Sequence, residues 1–476
     1  MTFYFYDLET SGFRPREDRV MQFAGQRTDM DLRPLGQPDN FLIRMTPDIL
    51  PEPGAVLVHG ITPQQTLSTG ISEAEFCEYL TSKISVKDTI LVGYNNIRFD
   101  NEFIRFTLWR NFHDAYEWSW KNDCSTWDLL DVVRMTRALR PAGIEWPFAA
   151  DGKPTNSLEY ITAVNKLEHS DAHDALSDVN ASIAVARLLR QKQPKIFDFL
   201  LNIRGKQNVA PLVTKGEPLL YTSGRYPVEF HKTAAVVMAA QKPDKSGALM
   251  YDLRIDPDEF SHLSAADLRQ RWKAYQSRDG DAPYFPVKEL RYNRCPALAP
   301  MRVLDDEGLV RLQLHKGIID SHLKKLQKAE DFGEKLLEAS DSLWPPRQPS
   351  LMIDEQQVDG SLYDGFVKDD DRTKMSVVRA AESEELSKLT EDFSDERLKA
   401  MLPLYKARNF PDSLTADEKQ AWVRFRAQKL SSGKSARLDN FFAQIEELSQ
   451  TPGTSSERKH LLRDLAEYGD SIRRAV

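Results

Sequence analysis

Residues 3–10, Phe-Tyr-Phe-Tyr-Asp-Leu-Glu-Thr, set two acids one residue apart at the end of an aromatic run. Such a run suits a buried strand. Residues i and i+2 of a strand point to one face, so Asp7 and Glu9 aim two carboxylates at a single spot. Like charges that close repel unless a proton or a cation lies between them. Oxygen-rich sites of this kind suit hard divalent ions such as Mg²⁺. Taken alone, Asp-x-Glu is also an ordinary strand end with its acids in solvent. The rest of the chain has to decide between the two.

At 476 residues the chain has room for roughly two to four domains. It is 41% hydrophobic and 29% charged, as expected of a globular protein rather than a disordered one. No apolar run approaches the roughly 20 residues that span a bilayer, so no membrane association is expected. No basic region followed by an apolar stretch opens the sequence, so no signal peptide is expected either. Cys77, Cys124 and Cys295 are odd in number and lack C-x-x-C spacing, which argues against a disulfide framework and a zinc site and suits a reducing cytoplasm. The net charge of −8 does not exclude nucleic acid, because local basic patches and bound cations govern that binding.

Residues 1–193 alternate strand and helix patterns, which predicts an α/β sheet with helices on its faces. Thr89–Gly93 reads as a buried strand; Asn101–Phe112, Ser125–Leu139 and Asp174–Arg190 read as helices. Ser125-x-x-Asp128 resembles a capping box opening the second of these. Residues 194–348 change to short apolar runs, Ala234–Ala239 and Ala248–Leu253 among them, with one helix at Ala265–Gln276. That predicts a β-rich domain. Trp344–Ser350 reads as a linker, and 350–476 is rich in helix formers, which predicts a helical C-terminal domain.

Three further pieces join the first two acids. Asp100 ends the polar turn after the Thr89–Gly93 strand, where a helix begins. His173 and Asp178, spaced His-x4-Asp, enter the last helix of the α/β region. Each alone is ordinary: Asp100 as a helix cap, Asp178 as a first-turn acid favoured by the helix dipole. Together, Asp7, Glu9, Asp100, His173 and Asp178 resemble the DEDD-type 3′→5′ exonucleases of the His subclass. The resemblance narrows to the bacterial exodeoxyribonuclease I family through Asp7-x-Glu9-Thr10-x-Gly12, Gly93-Tyr94-Asn95-Asn96-x-Arg98-Phe99-Asp100 and Tyr116-Glu117-Trp118-Ser119-Trp120. Trp127-Asp128-Leu129-Leu130-Asp131, Leu139-Arg140-Pro141, Arg294-Cys295-Pro296 and Arg408-Asn409-Phe410-Pro411 carry it through nearly the whole chain.

The resemblance implies a ribonuclease-H-like exonuclease domain, an SH3-like domain and a helical C-terminal domain. It implies two Mg²⁺ ions, replaceable by Mn²⁺, held by Asp7, Glu9, Asp100 and Asp178, with His173 as general base. A two-metal site suits phosphodiester hydrolysis because charge develops on both the attacking and the leaving oxygen. The family digests single-stranded DNA from the 3′ end, releases nucleoside 5′-monophosphates, serves DNA repair and recombination, and works as a monomer.

Aromatic and basic residues interleave between 100 and 140, as a single-strand track requires. Arg105, Trp109, Tyr116, Trp118, Trp120, Arg134 and Arg137 make up this run. Of these, Arg105, Tyr116, Trp120 and Arg134 fall where the family touches DNA, together with His173. Glu9, Thr10 and Ser157 fall near the terminal nucleotide. Ser157 stands where relatives carry a basic residue and offers a hydroxyl donor but no charge; Lys153 is a neighbouring substitute. The family also docks the acidic C-terminal tail of single-stranded DNA-binding protein, for which Arg140, with apolar surface around Phe199, is the candidate. The competing readings are an exoribonuclease of the ribonuclease T kind, a non-catalytic single-strand-binding scaffold and a polymerase proofreading subunit.

Overall fold

In a computed structural model that describes residues 1–169, 174–277, 282–343, 354–431 and 437–475, the chain divides into two compact units. The first gathers residues 1–124, 170–180 and 347–476; the second gathers 125–169 and 181–346.

The first unit is organised by β1 (Thr2–Thr10), with β2 (Val20–Thr28), β3 (Asp39–Leu42) and β4 (Thr89–Gly93) in the order β3-β2-β1-β4. β1 pairs antiparallel with β2 and parallel with β4. Its even-numbered side chains, Tyr4, Tyr6 and Leu8, join Phe23, Phe76, Phe103 and Leu108 in one core. Gly25 is required there, because a Cβ would lie 2.3 Å from the Tyr4 hydroxyl. The odd face carries Phe3 and Phe5, both fully buried, and then Asp7 and Glu9. Register with β2 shifts between Glu9 and Thr10, a bulge at the point where the acids project.

Two predicted helices are present as Asp100–Arg110, in this unit, and Ala175–Lys192, of which the residues up to Asn180 belong to it. The helical C-terminal region is present as Asp369–Ala380, Glu396–Asn409, Ala416–Ser431, Arg437–Gln450 and Ser456–Arg474. Its Met401, Leu402, Tyr405 and Trp422 share a core with Phe106, Trp109 and Phe112. Beside that core runs a buried charge network. Asp359 accepts from Arg19 at 2.6 Å and from Arg408 at 2.8 Å, and Asp48 accepts from Arg408 at 2.8 Å and Lys429 at 2.7 Å. Burial alone would push the Asp359 carboxyl up; Arg408, Arg19 and Lys429 outweigh it and hold it well below the usual carboxylate range. Arg19 also returns to the strand end, its backbone N–H donating to the Ser11 hydroxyl at 2.9 Å.

In the second unit β5 (Ser125–Asp128) precedes the helix Leu129–Leu139. The sequence predicted a helix from Ser125; instead Ser125–Asp128 is strand, and Asp128 is the N-cap, accepting from the Leu130 N–H at 3.0 Å. Trp127 explains the shift: a strand buries its ring against Phe197, 5.0 Å away. The β-rich middle region is an antiparallel sheet of β6 (Leu219–Thr222), β7 (Thr233–Gln241), β8 (Gly247–Asp252), β9 (Val287–Arg291) and β10 (Ala297–Pro300) in the order β10-β6-β7-β8-β9. The predicted helix is present at Ala265–Ser277. It has company the sequence reading lacked, including Lys316–Lys328 and Phe332–Leu343. The Lys-rich exposed face of the first obscured its apolar stripe. The Trp344–Ser350 linker lies outside the described residues. No described helix is long and apolar enough to cross a membrane.

Candidate active site

Asp7, Glu9, Asp100 and Asp178 all belong to the first unit; His173 lies outside the described residues. Asp7 and Glu9 leave one face of β1, and Asp178 approaches from the first turn of Ala175–Lys192. One carboxylate oxygen from each lies within 4.8 Å of the other two. The start of that helix is pinned to the sheet by Gln22, which faces Glu9 in the β1–β2 register. Gln22 donates to Asp174 at 3.2 Å and accepts from the Ala175 N–H at 3.4 Å. Asp174 in turn caps the helix by accepting from the Ser177 N–H at 3.0 Å.

Asp100 is 4% exposed and opens its helix. The turn before it is explained residue by residue. Gly93 has no room for a Cβ, which would lie 2.6 Å from that of Asn96. Asn95 adopts a left-handed φ of 72°, which asparagine tolerates better than most residues. Asn96 donates to the Tyr6 hydroxyl at 2.9 Å, tying the turn to β1 beside Asp7.

Burial first, and then Asp100, Glu9, Asp178 and Asp174, push the Asp7 carboxyl well above its ordinary range. Burial, then Asp178, Asp100 and Asp174, push Glu9 up to about 9. The charged neighbours that push these two acids up, among the described residues, are themselves acidic. Carboxylates desolvated in this way need a proton or a cation, and an all-oxygen donor set fits a hard divalent ion. The fit yields a pH prediction. Glu9 holds its proton in the folded chain up to about pH 9 but loses it near pH 4.5 when unfolded. Its contribution to metal-free stability is therefore complete below about pH 4.5 and is lost as pH rises through 9. Divalent ions should displace that proton, so the rise in melting temperature on adding Mg²⁺ should grow from pH 5 to pH 9. A pH-independent Mg²⁺ effect in scanning calorimetry would contradict this.

The remaining predicted residues divide between the units. Thr10 is buried, and its hydroxyl donates to the Gly12 carbonyl at 2.8 Å. Arg105 donates to Glu102 at 2.7 Å and lies over the Tyr116 ring at 5.4 Å. Tyr116 is 40% and Trp120 60% exposed. Trp109 and Trp118, read from the sequence as part of the same aromatic run, are core residues instead; Trp118 meets Tyr6 edge-on at 6.2 Å. Arg134, Arg137, Arg140 and Ser157 belong to the second unit. Arg134 pairs with Asp131 at 2.7 Å. Arg137 is buried and donates to the Thr155 and Pro147 carbonyls, a structural role rather than a place on a track. Arg140 donates to the Leu139 and Val303 carbonyls, and Phe199 is half-buried. Ser157 is exposed and precedes the helix Leu158–Val164.

Sequence reading missed two residues here. Gln22 carries no motif signal, since its role rests on strand register. Phe13, 71% exposed in the loop after the bulge, tilts against Phe99 with ring centres 6.3 Å apart. Its place one residue past the Asp-x-Glu-Thr-x-Gly motif was the available clue.

Comparison with known proteins places this site in context. Residues 4–186 match the family model for an exonuclease domain, 204–340 the exonuclease I SH3-like domain and 356–472 the exonuclease I C-terminal domain. Exodeoxyribonuclease I of Escherichia coli K12 is 38% identical over 99% of this chain and 98% of its own. The zinc-bound form of an E. coli ExoI–ssDNA complex superposes with a TM-score of 0.91 at 38% identity, covering 99% of both chains. A structure of SSB/exonuclease I with an inhibitor does so at 0.89 and 37% identity, again over 99% of both chains.

Proposed function

Because the chain belongs to the exonuclease I family, we propose that it is a single-strand-specific 3′→5′ exodeoxyribonuclease releasing nucleoside 5′-monophosphates. The observation that carries the reading is the desolvated cluster of Asp7, Glu9 and Asp178, with oxygens within 4.8 Å of one another and Asp100 adding its charge. Asp7, Glu9, Asp100 and Asp178 would hold two divalent ions, Mg²⁺ with Mn²⁺ able to substitute. Once bound, these supply the positive charge that cleavage needs at the attacking and leaving oxygens.

The chain's own residues do the rest. His173 takes the proton of the attacking water, a role that a neutral imidazole can fill near neutral pH. The water oxygen bonds to phosphorus as the bond to the 3′ oxygen breaks with its electron pair, and a solvent proton on that oxygen leaves a 5′-monophosphate and a shortened strand with a 3′ hydroxyl. Tyr116 and Trp120 offer exposed rings for base stacking, while Arg105 and Arg134 supply positive charge for phosphates. Glu9, Thr10 and Ser157 position the terminal nucleotide, Thr10 through its backbone because its hydroxyl is engaged. Phe13 supplies a further ring beside the terminal base.

Arg140 and the surface near Phe199 receive the acidic C-terminal tail of single-stranded DNA-binding protein, supported by the SSB/exonuclease I relative. The protein acts as a monomer in the cytoplasm, in DNA repair and recombination. The sequence divides functionally into an exonuclease domain at 1–193, an SH3-like domain at 194–348 and a helical C-terminal domain at 350–476. The test is digestion of matched DNA and RNA strands in Mg²⁺. Mononucleotides should leave single-stranded DNA from its 3′ end; equal release from RNA would favour the ribonuclease T kind, and strand retention without release a scaffold.

A further inference from the structure

Ser11, two residues past Glu9, is fully buried and tied at three points. Its N–H donates to the Arg19 carbonyl at 2.8 Å, its hydroxyl accepts from the Arg19 N–H at 2.9 Å, and its carbonyl accepts from the Glu52 N–H at 2.6 Å. Gly12 follows with no room for a side chain, since a Cβ would lie 2.5 Å from the Asp18 carboxylate. Arg19, 3% exposed, completes the clamp. Its Nη1 donates to the Glu17 carbonyl at 2.9 Å and the Asp18 carbonyl at 3.3 Å, and its Nη2 donates to Asp359 at 2.6 Å. Asp359 is itself held by both Nη atoms of Arg408, each at 2.8 Å, from the helix Glu396–Asn409. One guanidinium thus joins the loop beside Thr10 to a carboxylate 340 positions further along the chain, all within the first unit. A planar fork of donors fixes several acceptors at set angles, which a lysine ammonium does not.

From this chain of contacts we infer that Arg19 is a positioning residue for the 3′-terminal nucleotide, with Asp359 acting through it. Neither touches the strand; together they set the Thr10–Gly12 backbone on which the terminal nucleotide rests. The inference rests on the reading above, in which Thr10 holds that nucleotide through its backbone, and adds the residues that keep the backbone in place. A loose turn is costly, because a displacement of about 1 Å lowers a rate on the order of 10²-fold. A merely structural Arg19 would change how much of the protein is folded. A positioning Arg19 changes how the strand end is seated in protein that stays folded.

The test uses the full chain. Turnover in Mg²⁺ is measured on a DNA trinucleotide, which depends on the terminal seat for most of its binding, and affinity in EDTA on a long oligothymidylate. Arg19→Lys keeps the charge beside Asp359 and loses the fork. Its KM on the trinucleotide should rise about tenfold, the weight of one charge-assisted hydrogen bond, while its affinity for the long strand stays at the wild-type value. Asp359→Asn should give the same pattern, and the double variant should lose no more than the worse single one, because both act on one link. Ser11→Ala deletes only the hydroxyl acceptor and should raise the same KM about fivefold, which decides the matter if the charge variants do not fold. An unchanged trinucleotide KM, single losses that multiply in the double variant, or long-strand binding that falls in step with turnover overturns this inference alone. A wild type that releases no mononucleotide from either strand overturns it together with the DNA reading.

Discussion

Asp7→Asn should lower the rate of nucleotide release by on the order of 10³-fold or more, because it removes a negative ligand worth several kcal/mol of transition-state stabilisation. The same change should raise the melting temperature of the metal-free protein. Asp7 is desolvated beside Asp100, Glu9, Asp178 and Asp174, each of which raises the cost of its charge. Asparagine keeps the shape and deletes the repulsion. Stability and activity should therefore move in opposite directions, as is common where a site stores unfavourable charge. In Mg²⁺ the ranking should reverse, since wild type gains from the ion and the variant gains less. Nuclease assays together with melting in EDTA and in Mg²⁺ check all three outcomes. An Asp7→Asn protein with wild-type activity would refute the site, and one that is inactive but less stable in EDTA would refute the electrostatic account.

Asp359→Ala should cost about 3–5 kcal/mol of stability, the range for removing one partner from a buried ion pair. Asp359 compensates Arg19 and Arg408 and lies 3.5 Å from Lys429. Without it, buried cations face one another, Arg408 still paired with Asp48 and Arg19 still near Glu73. Because the folded carboxyl sits well below its ordinary value, its stabilisation is complete above the unfolded pKa of about 3.9 and disappears as pH falls further. The wild-type and variant unfolding curves in urea should therefore differ widely at pH 7 and converge below about pH 4. Pairing Asp359→Ala with Arg408→Met should recover part of the loss, because the uncompensated charge goes with its partner. Equal stability of Asp359→Ala and wild type at pH 7 would show that Arg19 and Arg408 find other partners.

Much of this was legible in the chain. The alternation of Phe3, Phe5, Asp7 and Glu9 with Tyr4, Tyr6 and Leu8 put both acids on one face of a buried strand, since strand periodicity is local. The turn ending at Asp100 was equally readable, as a polar stretch between the buried Thr89–Gly93 strand and a helix. Residues 125–128 were not, because a capping pattern and a short strand share the same composition, and burial of Trp127 against Phe197 chose the strand. Nor could sequence sort one aromatic run into core Trp118 and exposed Tyr116 and Trp120. Burial is a property of what packs against a residue, and those partners lie far away in the chain.

By itself, the sequence determined the chemical inventory: two acids on one strand face, an acid after a later strand, His-x4-Asp into a helix, and a helix-forming C-terminal third. Tertiary structure decided that Asp178 meets Asp7 and Glu9, that Gln22 holds its helix in place, and that residues 347–476 share a compact unit with β1. The reason is range. Backbone preference and side-chain periodicity act over a few residues and are written locally, whereas desolvation and charge coupling between Arg19 and Asp359 or between Glu9 and Asp178 arise only once distant segments are packed together.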